Sequence, residues 1–168
     1  MLSLWRKIRA VGRVAEPAPP APTDHAPTAT VLTSDTVKEL HGSVQIRHVD
    51  AGSCNGCEVE IASAFGPVYD AERYGARLVA SPRHADALLV TGAVTLNMAE
   101  PLRRTYQAVP GPKLVVAVGD CARNCGVFSN AYGVAGAVGD IVPVDLEITG
   151  CPPRPDAIVE ALRRLTGR

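Results

Sequence analysis

The segment PKLVVAVGD, residues 112–120, carries an unbroken run of Leu, Val and Ala between a lysine and a glycine. A strand that is apolar at every position has no face for water, so helices must cover both sides of its sheet. Further strands are predicted at 43–50, 76–81 and 86–92, and helices at 57–65, 98–109 and 154–167. This alternation predicts an α/β fold with a mostly parallel sheet and helices on both faces.

Prolines or glycines affect the structure predicted for three other segments. Residues 140–148 resemble a strand that is interrupted by Pro143, which favours the edge of a sheet. The helix over 98–109 contains Pro101, which a helix tolerates in its first turn. The glycine-rich segment 133–140 does not have the spacing of a dinucleotide fingerprint and is predicted to be a loop.

The first 42 residues differ in composition from the rest of the chain. Residues 1–15 contain four basic side chains and no acidic one, and on a helix their apolar side chains would share one face. This predicts a basic amphipathic segment for a membrane surface or a partner's groove, and the alternative is a solvated terminus. Residues 16–42 are proline-rich and predict an extended linker. The folded domain is therefore predicted at 43–168, after a disordered or extended arm.

Charge and hydropathy exclude several classes of protein. Lys plus Arg and Asp plus Glu both number 17, which argues against nucleic acid as the main partner. No stretch approaches the roughly 20 apolar residues that cross a bilayer, and the N-terminus lacks the pattern of a secretory signal. We therefore expect a cytoplasmic chain, in which cysteines serve more often as ligands or catalysts than as disulfides.

Four of the five cysteines follow predicted strands. Cys54 and Cys57 come after the first strand, Cys121 after the buried strand, and Cys151 after the last one. Since the carboxyl ends of parallel strands meet at one edge of a sheet, these thiols are expected to lie together. The turns beside them contain glycines that permit sharp changes of direction, namely Gly52, Gly119 and Gly150.

Four thiolates suit either a zinc ion or a 4Fe–4S cluster. Zinc ribbons usually pair two short CxxC knuckles, whereas here only Cys54 and Cys57 are closely spaced, so the dispersed thiols favour a cluster. A redox dithiol of the thioredoxin type would leave Cys121 and Cys151 unexplained. Zinc and the dithiol remain alternatives to the cluster.

Four motifs, in this order, resemble a known family: DAGSCNGCEVEI, LLVTGAVT, VVAVGDCARNCGVF and IVPVDLEITGCPPRPDAIVEAL. They are similar to the small subunits shared by membrane-bound nickel–iron hydrogenases and by respiratory complex I, in which the subunit is called 20 kDa or B. The resemblance extends over most of the predicted domain. It implies a flavodoxin-like fold and one 4Fe–4S cluster at the interface with a large catalytic subunit. It also implies that the cluster ligands are Cys54, Cys57, Cys121 and Cys151.

The spacing of the first two cysteines indicates a branch of this family. Complex I members have adjacent cysteines beside a quinone cavity, whereas Cys-Asn-Gly-Cys resembles the energy-converting hydrogenases, including formate hydrogenlyase small subunits. The resemblance therefore implies an electron-transfer subunit of a membrane-associated nickel–iron hydrogenase, peripheral on the inner face of the cell membrane. Its implied partners are a nickel–iron large subunit, other iron–sulfur subunits and membrane subunits.

The same residues leave two alternative functions and predict no further cofactor. We expect no nickel on this chain, because nickel–iron sites of the family need two CxxC pairs, and no nucleotide or flavin. One alternative is a complex I-like subunit that passes electrons to quinone. Another is a structural metal-binding docking module without a redox role.

Two carboxylates near the first cysteine pair are candidate catalytic residues. Glu58 and Glu60 fall in the first turn of a predicted helix, where acids stabilise the positive end of the helix. The sharper prediction is a proton relay. Glu60 is preferred to Glu58 because its offset from the cysteines matches that of the complex I-like relatives.

Several further residues near the motifs have simpler interpretations. Cys125 stands where many relatives carry glycine and is predicted to be a small apolar residue rather than a ligand. Thr91 and Thr95 either line the cluster pocket or act as turn hydroxyls. His48 lies in a predicted strand and lacks metal-ligand spacing to another histidine or a cysteine.

Overall fold

A computed structural model describes residues 5–6, 9–10, 40 and 42–168, and its strands form a central parallel sheet. The strands are β1 (Val44–Asp50), β2 (Ala76–Leu78), β3 (Ala87–Thr91), β4 (Val94–Thr95), β5 (Leu114–Val118), β6 (Val134–Gly136) and β7 (Leu146–Ile148). The sheet has the order β2–β1–β3–β5–β7, and all its strand pairs are parallel. This is the flavodoxin-like order, so the predicted fold class is confirmed.

Within residues 42–168, four helices cover the two faces of the sheet: α1 (Gly56–Ala64), α2 (Leu96–Ala108), α3 (Gly119–Asn124) and α4 (Pro155–Thr166). Ile61 of α1 and Leu162 of α4 belong to the apolar cluster on one face. Leu102 of α2 and Ala122 of α3 belong to the cluster on the other face. None of the helices in the described part of the chain is long and apolar enough to cross a membrane.

The two central strands explain why the sheet needs helices on both sides. Every residue of β3 and of β5 is buried. Successive side chains point to opposite faces of a strand, so Val116 packs with α1 and α4 while Val115 packs with α2. The apolar run predicted this double burial correctly.

The prediction for Pro101 was wrong. The helix begins at Leu96 rather than at residue 98, so Pro101 lies beyond the first turn of α2. Proline cannot donate a backbone hydrogen bond to the carbonyl four residues earlier, which here belongs to Asn97. Because Asn97 is exposed, water can bind that carbonyl, and the helix continues through the proline.

Two other segments differ from their predictions. The glycine-rich segment 133–140 is not wholly a loop, because it contains β6, which pairs with β4 in an antiparallel two-stranded sheet. This pairing depends on backbone contacts that a hydrophobic pattern does not reveal. Of the strand predicted over 140–148, only residues 146–148 form a strand, β7. As predicted, this strand lies at the edge of the main sheet.

The two predicted N-terminal segments, 1–15 and 16–42, lie almost entirely outside the described residues. Residues 5–6 and 9–10 are helical and exposed. Leu40, which the predicted boundary assigns to the linker, is buried in the core cluster with α1 and α4. The amphipathic segment and the linker remain predictions.

Replacing Leu162 with alanine should destabilise the chain by about 2–5 kcal/mol, because this fully buried side chain fills the space between α4 and the sheet. Urea denaturation of the full chain, followed by circular dichroism, measures the loss. Leu162→Met is the control and should cost less than about 1.5 kcal/mol, since it nearly conserves volume. Equal losses for the two variants would contradict this packing.

Candidate functional site

Four cysteines lie beyond the carboxyl ends of three strands of the sheet. Cys54 and Cys57 follow β1, Cys121 lies in α3 directly after β5, and Cys151 follows β7. They share one electrostatic environment, because the other three thiols all contribute to the pKa of Cys57. The sequence therefore predicted correctly that these segments converge on one edge.

The two inner thiols resist ionisation. Burial raises the pKa of Cys57 to about 12, with further contributions from Glu58 and then from the neighbouring thiols. Burial also raises the pKa of Cys121, and Cys151 and Cys54 add to this rise. Thiolates at these positions need a compensating positive charge, which is what a bound metal group supplies.

The site is closed on one side and open on the other. Cys57 and Cys121 are 8% and 6% exposed, whereas Cys54 and Cys151 are exposed. The backbone N–H of Val127 donates a hydrogen bond to the sulfur of Cys121 and lowers the pKa of that thiol. A group bound here would rest on two buried sulfurs and face solvent or a partner on the side of the other two.

Glycines keep the space around the inner sulfurs clear. Gly119 has a φ of +85°, and a Cβ added to it would lie 2.7 Å from the Sγ of Cys57. A Cβ at Gly126 would lie 3.1 Å from the Sγ of Cys121. The backbone can approach a group held by these sulfurs because side chains are absent at both positions.

Two aspartates hold the cysteine-bearing loops in place. The Oδ1 atom of Asp50 accepts hydrogen bonds from the backbone N–H groups of Gly52 and Ser53, at 2.9 and 2.8 Å. Asp120 joins the loops of Cys121 and Cys151, because its N–H donates to the carbonyl of Gly150 at 2.9 Å and its Oδ1 accepts from the N–H of Gly150 at 3.1 Å. Loops from distant parts of the sequence are thus fixed to one another.

A polar cluster that the sequence did not reveal lies beside Cys57. The Thr91 hydroxyl at the end of β3 donates to the Oε1 atom of Glu58. The Nε2 atom of His48 on β1 lies 3.1 Å from the Oγ1 atom of Thr91 and 3.7 Å from the Oε1 atom of Glu58. Burial lowers the pKa of His48, against opposing contributions from Glu58 and Asp50. The three residues meet only through the parallel pairing of β1 with β3.

The predicted relay residue Glu60 has a different environment from Glu58. Glu60 is partly buried on α1, and no hydrogen bond or ion pair joins its side chain to another of the described residues. The Glu58 side chain is 16% exposed and is bound by Thr91. The preference for Glu60 over Glu58 remains a prediction.

A family model described as the 20 kDa subunit of NADH ubiquinone oxidoreductase matches residues 54–165. The chain belongs to this family. The match begins at the first cysteine and ends in α4, so it includes all four convergent cysteines. The family resemblance predicted from the sequence motifs is confirmed.

Relatives of this chain include subunits of hydrogenases and of respiratory complexes. Formate hydrogenlyase subunit 7 of Escherichia coli is 44% identical over 138 residues, which cover 82% of this chain and 54% of that subunit. The probable membrane-bound hydrogenase subunit mbhJ of Pyrococcus furiosus is 49% identical over 125 residues, covering 74% of this chain and 75% of that one. The chain therefore spans about half the length of the formate hydrogenlyase subunit.

A solved structure supports the same relationship. A chain of the membrane-bound sulfane sulfur reductase, an archaeal respiratory membrane complex, aligns with a TM-score of 0.67 and 33% identity. The alignment covers 78% of this chain and 72% of that chain. The family member described here is thus similar in fold to a subunit of a membrane-bound oxidoreductase complex.

Cys125 stands apart from the other four cysteines. Its pKa is raised by burial and by Asp140. Its φ of 66° lies in the left-handed region, which glycine adopts more readily than other residues. Glycine would occupy this position without strain.

Within the described residues, no group of three or more His, Cys, Asp or Glu side chains is arranged to hold a metal ion. The four thiols border a common region from three separate loops.

Gly119→Ala should destabilise the site, because the left-handed backbone costs an L-residue about 1–2 kcal/mol and the new methyl group would press on the Cys57 sulfur. We expect a lower unfolding midpoint and less bound metal per purified chain. Gly133→Ala is the matched control, since open space surrounds that position. Equal metal content in the two variants would contradict the close approach at Gly119.

Proposed function

We propose that the chain is the electron-transfer small subunit of a membrane-associated nickel–iron hydrogenase complex and carries one 4Fe–4S cluster. The observation that carries this proposal is the convergence of Cys54, Cys57, Cys121 and Cys151 in a chain of this family. The names of its relatives support the hydrogenase branch.

The residues at the site fit such a cluster. A bound 4Fe–4S cluster takes up and releases single electrons and is ligated by four thiolates. The four cysteines supply these ligands from three loops, and Gly119 and Gly126 leave room beside the inner sulfurs. The N–H of Val127 donates to the Cys121 sulfur, a kind of hydrogen bond that influences the potential of iron–sulfur centres.

The open side of the site suits a partner subunit. Cys54 and Cys151 are exposed, and the neighbouring segments carry the exposed apolar side chains of Val59 and Val127, at 56% and 80% exposure. A nickel–iron large subunit that covers this side would exclude water and bring its own metal centre close to the thiols. Other iron–sulfur subunits and membrane subunits complete the proposed complex and hold it on the inner face of the cell membrane.

A second candidate function is supported by the family description, which names an NADH ubiquinone oxidoreductase subunit. In that case the chain passes electrons to quinone. The partner distinguishes the two functions, because a nickel–iron site requires two CxxC pairs in the large subunit. A co-purified large subunit with both pairs supports the hydrogenase, and one without them supports the second candidate.

Single serine variants of Cys54, Cys57, Cys121 and Cys151 should each lose most of the bound iron and the signal of a reduced cluster. Serine conserves the shape of cysteine and removes the thiolate. The measurement is iron and sulfide analysis with electron paramagnetic resonance on anaerobically purified complex. Cys125→Ser is the control and should retain both iron and signal.

Three outcomes would overturn this assignment of ligands and cluster. A wild-type protein that holds only zinc, or a cluster that cannot be reduced, would favour a structural docking module. Loss of the cluster in Cys125→Ser with retention in Cys151→Ser would show that the ligand set is wrong.

Glu60→Gln in the assembled complex should reduce hydrogen turnover on the order of 100-fold if Glu60 relays protons, since amides do not exchange protons in this way. Glu58→Gln tests the less favoured carboxylate, and Glu72→Gln, at an exposed position, is the matched control. Hydrogen uptake and evolution are measured at a fixed cluster content. Unchanged hydrogen turnover in Glu60→Gln would show that Glu60 does not relay protons.

A further inference from the structure

The side chains of His48, Thr91 and Glu58 form a connected chain that ends beside Cys57. Thr91 is fully buried and lies at the last position of β3. Glu58 follows Cys57 in the first turn of α1, and its side chain reaches back across the edge of the sheet to Thr91.

The Thr91 hydroxyl has one proton and two possible acceptors, the Oε1 atom of Glu58 and the carbonyl oxygen of Val49 at 3.5 Å, and the contact with Glu58 is the shorter of the two. Thr91 donates that proton to the Oε1 atom of Glu58. Its oxygen can therefore only accept from His48, whose Nε2 atom lies 3.1 Å away and must carry the ring proton. Burial lowers the pKa of His48, so the ring is neutral near pH 7 and holds one proton to donate. The donors thus run from His48 through Thr91 to Glu58.

The Glu58 carboxyl group is held close to Cys57. Glu58 directly follows Cys57 in the first turn of α1, and its Oε1 atom accepts the hydrogen bond of Thr91 at the edge of the sheet. The Glu58 side chain is 16% exposed, and its Oε2 atom is buried without a hydrogen-bond partner among the described residues. Water screens a charge at such a position less than a charge on an exposed side chain, so the carboxylate acts on the adjacent cysteine.

We propose that Thr91 and His48 are positioning residues that hold the Glu58 carboxylate beside Cys57, and that this carboxylate lowers the reduction potential of the bound cluster. The inference rests on the proposed function. A negative charge fixed in a partly buried site opposes the addition of an electron to its neighbour. Thr91 keeps the carboxylate in place, and His48 orients the Thr91 hydroxyl.

Redox titrations monitored by electron paramagnetic resonance test this directly, on the purified complex at one pH, with dithionite as reductant. Glu58→Gln should shift the midpoint potential to a more positive value, because it removes the charge and keeps the shape. Thr91→Val should shift it in the same direction by less, since the carboxylate loses its donor and turns toward solvent. His48→Leu should give the smallest shift.

The controls separate positioning from general damage to the fold. Thr91→Ser restores the hydroxyl and should return the potential to that of the wild type. Thr105→Val removes a hydroxyl of α2 that donates to the carbonyl of Pro101 at 2.8 Å, and it should leave the potential unchanged. In the double variant Glu58→Gln with Thr91→Val, the potential should equal that of Glu58→Gln alone, because Thr91 acts through the carboxylate.

The measurements distinguish a failure of the proposed function from a failure of this inference. A wild-type complex without iron would overturn the proposed function and this inference with it. A reducible cluster whose potential is the same in wild type and Glu58→Gln would overturn the inference alone. Additive shifts in the double variant would show that Thr91 acts independently of Glu58. If Thr91→Val does not fold, Glu58→Gln and Thr91→Ser still decide the result.

Discussion

The register of the parallel sheet fixes the position of every group at the candidate site. Asp50 pairs with Thr91, Thr91 with Val118, and Val118 with Ile148, so the four strand ends form one row across the edge. The cysteines follow this row within a few residues along each chain segment. A slip of one residue in any strand would turn its side chains to the opposite face and separate the thiols.

The same register determines the electrostatics of the site. With this register, Cys57 and Cys121 lie in the interior, where ionisation of a thiol is unfavourable. Cys54 and Cys151 lie at the surface. It also brings the carboxyl group of Glu58 next to a threonine and a histidine from neighbouring strands. The charge distribution around the sulfurs of Cys57 and Cys121 therefore depends on the sheet as much as on the loops that carry the cysteines.

Much of this arrangement could be predicted from the sequence, and the rest could not for identifiable reasons. The apolar runs of β3 and β5 and the periodic face of α4 are strong local signals, and the strand-end rule then placed the cysteines at one edge. Short elements such as α3 and β6 carry too few residues for a periodic signal. The contact between Thr91 and Glu58 joins residues 33 positions apart, so it exists only in the folded chain. The N-terminal predictions remain untested.

The uneven exposure of the four thiols has a consequence for how the site is filled. Cys54 and Cys151 stand at the surface while Cys57 and Cys121 lie beneath them. Iron and sulfide for the proposed cluster can meet the outer pair without any opening of the core. Assembly of the proposed cluster must therefore precede, or compete with, docking of the proposed large subunit on that side.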